Sequence, residues 1–501
     1  MNKLALALLA GASAIATAPA FAQDALPQVN DSYFKQAQAE LDRIIARQPN
    51  TGKAKNVILF VADGLSVPTV TAARIFDGQK KGVDGESNKL AFEELLPYVA
   101  LAKTYTHDAQ VADSAPTATA MVSGVKSVNG TVGVTQAIKY KDCTSVKGAE
   151  VTTIFEQAEN AGLSTGVVST ARITHATPAA TYAKVANRDQ ENDSQLSDAD
   201  KAAGCKDIAA QLVDWPAGNG FEVILGGGRS NFMLKDQADP EADGKTGSRT
   251  DGRDLVKEWQ AKYNDAAYVW NKAEFDAIDA AKTGHLFGLF ERSHMQYETD
   301  RAKDKGGEPS LAEMTEKAID MLSKDEDGYV LMVEAGRIDH AHHAGNAYRA
   351  LEDTLALSEA VKVALAKVNP EETLVVLTAD HSHTMTISGY PKRNNPILGI
   401  AGKADDGKPY TTLGYMNGPG ATAEGGRADL TNVDTSEPDF LQQALVPLGE
   451  SETHAGDDVP VFAQGPWAHL FQGVIEQNMI YHVIAKATDM AAKPQKQASA
   501  N

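Results

Sequence analysis

Six short apolar runs with helical segments between them constrain this chain more than any other feature. Lys55–Val61 (KNVILFV), Thr165–Ser169, Phe221–Leu225, His285–Phe290, Tyr329–Val333 and Leu374–Thr378 have the length and hydrophobicity of strands covered on both faces. The helical signal is clearest at Leu311–Leu322. There Leu311, Met314, Ala318, Met321 and Leu322 share one face, and Ser310 with Glu313 forms a capping box. Strands alternating with such helices predict an α/β fold, a doubly wound and mostly parallel central sheet flanked by helices.

Ligands in that architecture gather outside the carboxyl ends of the strands. The first run leads into Ala62-Asp63-Gly64, the fifth into Glu334 and the sixth into Ala379-Asp380-His381. One acid after a strand is ordinary solvation. Three at one edge of one sheet form a like-charge cluster that is costly unless a cation neutralises it.

Charge narrows the function. The 501 residues hold 47 Lys and Arg against 67 Asp and Glu, a formal charge of −20. Such a surface repels phosphate backbones and anionic lipid, which excludes a nucleic-acid or membrane-surface role. If the substrate is an anion, positive charge must be concentrated in its site.

Met1–Ala22 reads as a secretory signal: Lys3 gives the positive start, Leu4 to Ala18 is small and apolar, and Ala20-Phe21-Ala22 has the form of a cleavage site. No later stretch has the apolar length of a membrane span. The chain is expected to be exported, to the periplasm or beyond. Residues 23–501 then form the working domain. Its stretch 394–439, rich in Gly, Pro, Asn and Asp (GYMNGPGATAEGG), interrupts the strand–helix pattern as an insertion. Cys143 and Cys205 are the two cysteines. In an oxidising compartment a lone pair forms a disulfide more often than a metal site, which needs closer spacing and more ligands.

The chemistry concentrates in Val330–Asn346, VLMVEAGRIDHAHHAGN. Asp339 and His343, spaced i and i+4, share a face if a helix begins there. Carboxylate and imidazole are ordinary zinc ligands. A solvated patch accounts for one histidine, whereas this density of ionisable groups after an apolar strand reads as a metal site. Asp380-His381-Ser382-His383 is a second acid–imidazole cluster and Glu452-Thr453-His454-Ala455-Gly456 a third. A further segment sets Ser114 among small residues, with Pro116 suited to the first turn of a helix. A serine at a helix N-terminus sits where backbone N–H groups favour an anion. No serine–histidine pair is legible nearby, so activation would come from metal coordination.

Asp63-Gly64, DSAPTATA, THATPAATYAKVANR, VEAGRIDHAHH, TADHSH and ETHAGDDV resemble, in order and spacing from about residue 50 to 485, the signature blocks of the alkaline phosphatase family. His175, His340 and the THAGDDVPVFAQGP stretch are similar to its animal-type members. The resemblance implies that residues 23–501 are an alkaline phosphatase catalytic domain in which the 394–439 insertion is a crown-like subdomain. It implies hydrolysis of phosphate monoesters of broad range through a phosphoserine on Ser114, with an alkaline optimum. Asp339, His343 and His454 match the ligands of one zinc, and Asp63, Asp380 and His381 those of a second. Asp63 also bridges to a magnesium with Thr177 and Glu334, near His175. Arg188 matches the arginine that grips the phosphate through its planar fork, oriented by Asp113. The implied cofactors are two zinc ions and one magnesium.

His175 and His340 stand where the enteric enzymes have Asp and Lys, which bears on the identity of the third metal. The resemblance also implies a calcium ion near Glu241, Phe290 and Glu291. The remaining acid of that site does not align, since Gly306 falls near its place and Glu308 is only a neighbour. The cysteine pair matches an animal-type disulfide, and Asp31–Arg47 with the insertion resembles elements of a homodimer contact. Two other readings are a phosphodiesterase or sulfatase on the same scaffold, and a non-catalytic periplasmic phosphate- or metal-binding protein. The sulfatase pattern S-x-P-x-R matches only in part, since Ala118 occupies the Arg position.

Overall fold

The computed structural model describes residues 26–424 and 427–490, so the Met1–Ala22 signal lies outside the described residues. The chain divides into two units, residues 1–49 and 50–501. In the first, the helix Ser32–Ala46 starts at Asp31, whose carboxylate accepts from the backbone N–H of Tyr33 at 2.8 Å and of Phe34 at 3.1 Å.

The second unit is built on a sheet of ten strands: β1 (Asn56–Val61), β2 (Tyr98–Lys103), β3 (Ser164–Arg172), β4 (Val223–Gly227), β5 (Ala266–Val269), β6 (His285–Leu289), β7 (Tyr329–Glu334), β8 (Thr373–Thr378), β9 (Val459–Gln464) and β10 (Gly473–Glu476). Their order is β10-β2-β9-β8-β1-β7-β3-β4-β6-β5. β9 runs antiparallel to both its neighbours, and the other pairs are parallel. All six predicted strands are present. The central ones are buried on both faces, with Phe60, Val333, Leu377 and Val167 inaccessible to solvent. Each such side chain contributes roughly 1.5–3 kcal/mol through burial. The predicted helix Leu311–Leu322 forms with its capping box intact. Ser310 Oγ accepts from Glu313 N at 3.2 Å, and Glu313 accepts from Ser310 N at 2.8 Å.

Because β8, β1 and β7 are adjacent, Asp380, Asp63 and Glu334 emerge side by side at one edge of the sheet. Beside β7, Ser169 of β3 is in register with Glu334 and donates to it. Smaller strands complete the frame. Ser382–His383 pairs antiparallel with His454–Ala455, which puts His383 directly opposite His454. Residues 394–439 contribute to a two-stranded ribbon, Ile400–Lys403 with Pro409–Thr411, and to a three-stranded sheet. The latter joins Met385–Ile387, Leu413–Gly418 and Ala444–Pro447, so it borrows strands from either side of the insertion. Cys143 and Cys205 form a disulfide, with Cα atoms 6.2 Å apart. No helix among the described residues is long and apolar enough to cross a membrane.

Candidate active site

Asp339 and His343 lie on the helix Arg337–His343, directly after β7. His343 sets its Nδ1 2.6 Å from the Glu452 carbonyl, and His454 sets its Nδ1 2.8 Å from the Ala112 carbonyl. A carbonyl only accepts, so both imidazoles carry a proton on Nδ1, and the neutral form of each presents a bare Nε2. Those two lone pairs face each other at 3.1 Å, each 3.4 Å from Asp339 Oδ1. Three acceptors in that triangle repel unless a cation joins them. The point equidistant from all three atoms is about 1.9 Å from each, close to the ~2.0 Å of zinc–nitrogen and zinc–carboxylate bonds.

His383 belongs beside this trio in a different capacity. Its Nε2 is 2.7 Å from Asp339 Oδ1 and its Nδ1 2.5 Å from Glu452 Oε2. Burial opposes its charge, but the two carboxylates outweigh burial and push the imidazole up to about 9, so it donates at both nitrogens. Glu452 is in turn held by Thr384 N and Oγ1, each at 2.6 Å. Such a chain of hydrogen bonds behind a carboxylate is the kind of support that orients groups able to bind a metal. The sequence shows His383 and Glu452 as members of acid–imidazole clusters, but their linkage runs through tertiary contacts only.

The second group surrounds Asp63. Both its carboxylate oxygens are buried with no hydrogen-bond partner, as are Asp380 Oδ2 and Glu334 Oε1. Burial, then Asp339, Asp380 and Glu334, raise the Asp63 pKa well above the ordinary carboxylate value, and burial pushes Glu334 up to about 7. His381 Nε2 lies 3.2 Å from Asp380 Oδ2 and 3.4 Å from Asp63 Oδ1. Gly64 turns the chain here with φ +74°, and its N–H donates to Asp380 Oδ1 at 3.0 Å. A Cβ at this position would stand 2.5 Å from the His383 ring, so only glycine fits. Thr177 Oγ1 is buried beside Glu334, and His175 is within a metal's span of Asp63 and Glu334. Buried carboxylates and imidazoles without hydrogen-bond partners are the donor set that divalent cations take.

Ser114 begins the helix Ser114–Ser123, whose N-cap is Asp113. Its residues Ser114 through Val122 are all buried, which the small side chains Ala115, Ala118 and Ala120 permit. Ser114 Oγ is 3.1 Å from His381 Nε2, a contact the sequence did not reveal because 267 positions separate the two. Arg188 pairs with Asp113 through one guanidinium nitrogen and donates to His175 Nε2 at 2.8 Å through the other. Burial works against the Arg188 charge, but Asp113 more than offsets it.

Beyond Arg188 the sequence missed one residue of a histidine cluster. His294 joins His175 and His340, with ring centroids 5.2 and 4.0 Å away. Burial keeps all three imidazoles neutral, lowering His340 to about 3. They occupy the space between Arg172, Arg188 and Arg337.

At a separate acidic cluster the carboxyl of Asp304 lies against Glu241 and Glu291 and is pushed up to about 7 by burial and by those two neighbours. Gly306 instead donates its N–H to Glu241 Oε1 at 2.7 Å, and Glu308 accepts from Gln296 N at 2.9 Å.

A family model described as alkaline phosphatase matches residues 54–490. The tissue-nonspecific alkaline phosphatase of Gallus gallus is 46% identical over 463 residues, covering 90% of this chain and 88% of that protein. Among solved structures, Thermus thermophilus alkaline phosphatase is similar with a TM-score of 0.64 and 25% identity, covering 89% of this chain and 93% of that one. A mutant of TAB5 alkaline phosphatase solved with Mg bound in its M3 site has a TM-score of 0.61 at 24% identity, covering 88% and 99%.

Proposed function

Because the chain belongs to the alkaline phosphatase family, it hydrolyses phosphate monoesters, and we propose that Ser114 is the nucleophile of a metal-assisted site built from the residues above. Asp339, His343 and His454 would hold one zinc, and Asp63, Asp380 and His381 a second. Asp63, Thr177 and Glu334 would hold a magnesium, with His175 beside it. Ions bound there supply the concentrated positive charge that lowers the pKa of a hydroxyl and stabilises a departing alkoxide. The observation that carries this reading is the convergence of two bare Nε2 atoms and one carboxylate oxygen within 3.4 Å of one another, next to orphaned carboxylates.

The chain's own groups then divide the work. Arg188 binds two non-bridging phosphate oxygens, and Asp113 fixes its orientation. Ser114 Oγ, losing its proton, bonds phosphorus in line with the ester oxygen. The P–O bond to the alcohol breaks and the alkoxide takes up a proton. Water then attacks the phosphoserine, which releases inorganic phosphate and restores the hydroxyl. His383 and Glu452 keep Asp339 deprotonated and aimed.

Glu241, Glu291 and Asp304, with the Phe290 carbonyl, would hold a calcium ion that supplies structural cross-linking. A homodimer and export to an oxidising compartment complete the reading, and the disulfide fits the latter. The test is hydrolysis of a chromogenic phosphate monoester at alkaline pH, before and after chelation and after zinc and magnesium are restored. Activity lost and regained supports the reading. Inactivity with metal verified in the protein overturns it.

A further inference from the structure

The helix that carries Asp339 and His343 also carries His342, which is not among the proposed metal ligands. Its imidazole is fully buried and hydrogen-bonded at both nitrogens. Nδ1 lies 2.7 Å from the hydroxyl of Tyr415, on the strand Leu413–Gly418, and Nε2 lies 3.0 Å from Thr69 Oγ1. Thr69 stands in the first turn of the helix Val67–Lys80, which begins just after Asp63-Gly64. Its Oγ1 is 2.8 Å from Oγ of the N-cap Ser66, which also accepts from Thr69 N at 3.1 Å. One ring therefore joins three segments that are far apart in sequence. Thr69 is 273 positions from His342, and Tyr415 is 73.

The direction of these hydrogen bonds follows from the donors. Burial, and then the charge on His383, keep His342 neutral, so it has one N–H and one lone pair. Tyr415 is buried, and among the described residues its hydroxyl has no hydrogen-bond partner other than His342 Nδ1. A buried O–H that donates to nothing is costly, so Tyr415 donates to Nδ1. Nε2 then carries the proton and donates to Thr69 Oγ1, which in turn donates to Ser66 Oγ. Each of these three links has one donor and one acceptor.

The links lie between the two groups of metal-binding residues. The His342 ring stacks on His383, with centroids 4.9 Å apart, and His383 is the charged donor to Asp339. On the other side Gly64 passes so close that an added Cβ would stand 3.1 Å from Asp339 Cα.

We infer that His342 is a positioning residue: gripped by Tyr415 and Thr69, it sets the Asp339–His343 helix at its distance from Asp63 and backs the ring of His383. The inference rests on the proposed metal-assisted reading and adds residues that touch neither substrate nor metal. Asp339 Oδ1, His343 Nε2 and His454 Nε2 meet within 3.4 Å, and two of the three ride on this helix. Metal–ligand distances tolerate only about 0.2 Å, so a small rotation of the helix would pull that pair away from His454.

Tyr415→Phe and Thr69→Val each remove one hydroxyl with little change of shape. The full chain, wild type or variant, is stripped of metal and equilibrated with buffered free zinc, and bound zinc is counted by mass spectrometry. Each single variant is expected to raise the free zinc that half-fills the protein by about tenfold, as loss of support behind a metal ligand does. Both hydroxyls act through one ring, so the double variant is expected to stay near tenfold, whereas independent losses would multiply to about a hundredfold. Thr69→Ser, which keeps the hydroxyl, is expected to bind zinc as the wild type does. Zinc binding that is unchanged in either single variant overturns the assignment, even if thermal unfolding shows a lower Tm. A double variant whose shift is the product of the two single shifts also overturns it. Both results leave the phosphatase reading standing. A wild-type protein that binds no zinc removes that reading, and this one with it.

Discussion

Ser114 Oγ and His381 Nε2 stand 3.1 Å apart, and that one nitrogen also faces Asp380 Oδ2 at 3.2 Å and Asp63 Oδ1 at 3.4 Å. A single imidazole nitrogen can satisfy only one of three oxygens as a donor, and as an acceptor it repels both carboxylates. Burial further disfavours the imidazolium, since the pKa of His381 is held well below the ordinary histidine value. The arrangement suits a ligand of a shared cation better than the general base of a serine hydrolase.

Ser114→Ala is expected to lower kcat by about 10⁴-fold or more, because it removes the hydroxyl proposed to form the covalent intermediate. Zinc content, measured by mass spectrometry on the same preparation, should be unchanged. Turnover that survives the substitution would show that Ser114 is not the nucleophile.

Arg188→Lys keeps the charge but loses the planar fork, one arm of which pairs with Asp113 while the other donates to His175. A drop in kcat/KM of about 10²-fold is expected, with weaker product inhibition by inorganic phosphate. Equal inhibition of both proteins would mean that Arg188 does not touch the phosphate.

Glu452→Gln removes the negative partner that helps keep His383 charged. Asp339 then loses a charged donor. Zinc affinity is expected to fall about 10- to 100-fold, with activity recovering at higher added zinc. The check is activity titrated against buffered free zinc, and an unshifted titration would count against the linkage.

Glu159 and Glu222 supply a pH dependence remote from the metal site. Burial and then Glu222 raise Glu159 from the ordinary 4.5 to about 9, and burial raises Glu222 to about 7. A carboxyl that holds its proton more tightly when folded stabilises the fold fully below the unfolded value of about 4.5. That stability erodes as pH rises and is gone above about 9. Glu159→Gln removes the ionisation, so the Tm difference, variant minus wild type, should grow between pH 5 and pH 9. A difference that stays flat with pH would exclude the effect.

Replacing Cys143 and Cys205 by Ala releases a cross-link that spans 62 positions. Loop entropy alone puts the loss at about 4 kcal/mol, read as a fall in the denaturant midpoint of the metal-loaded protein. An unchanged midpoint would show that metals and packing already hold that region.

How much of this was legible beforehand follows from the range of each interaction. The strands, the helix Leu311–Leu322 and the i, i+4 pair Asp339–His343 are written in local periodicity, which a one-dimensional pattern preserves. The strand-end acids were visible for the same reason, since a run of apolar residues ends where the chain meets solvent or an ion. The contact of Asp304 with Glu241 and Glu291 was not legible because it is defined by nearness in space, which spacing along the chain does not carry. His294 escaped because it is a lone histidine on a loop, indistinguishable in sequence from a solvated one.

The sequence by itself determined the elements, the kinds of ligand and the family, because hydrophobic period and clustered donor types survive without coordinates. Only the tertiary structure decided which donors meet. It was the strand order β8-β1-β7 that set Asp380, Asp63 and Glu334 together, and a two-residue antiparallel pairing that set His383 against His454. Backbone carbonyls of Glu452 and Ala112, which no side-chain pattern records, set the Nδ1–H of His343 and His454 and turn both Nε2 atoms toward Asp339. Coulomb energy depends on separation in space, and separation along the chain does not carry it.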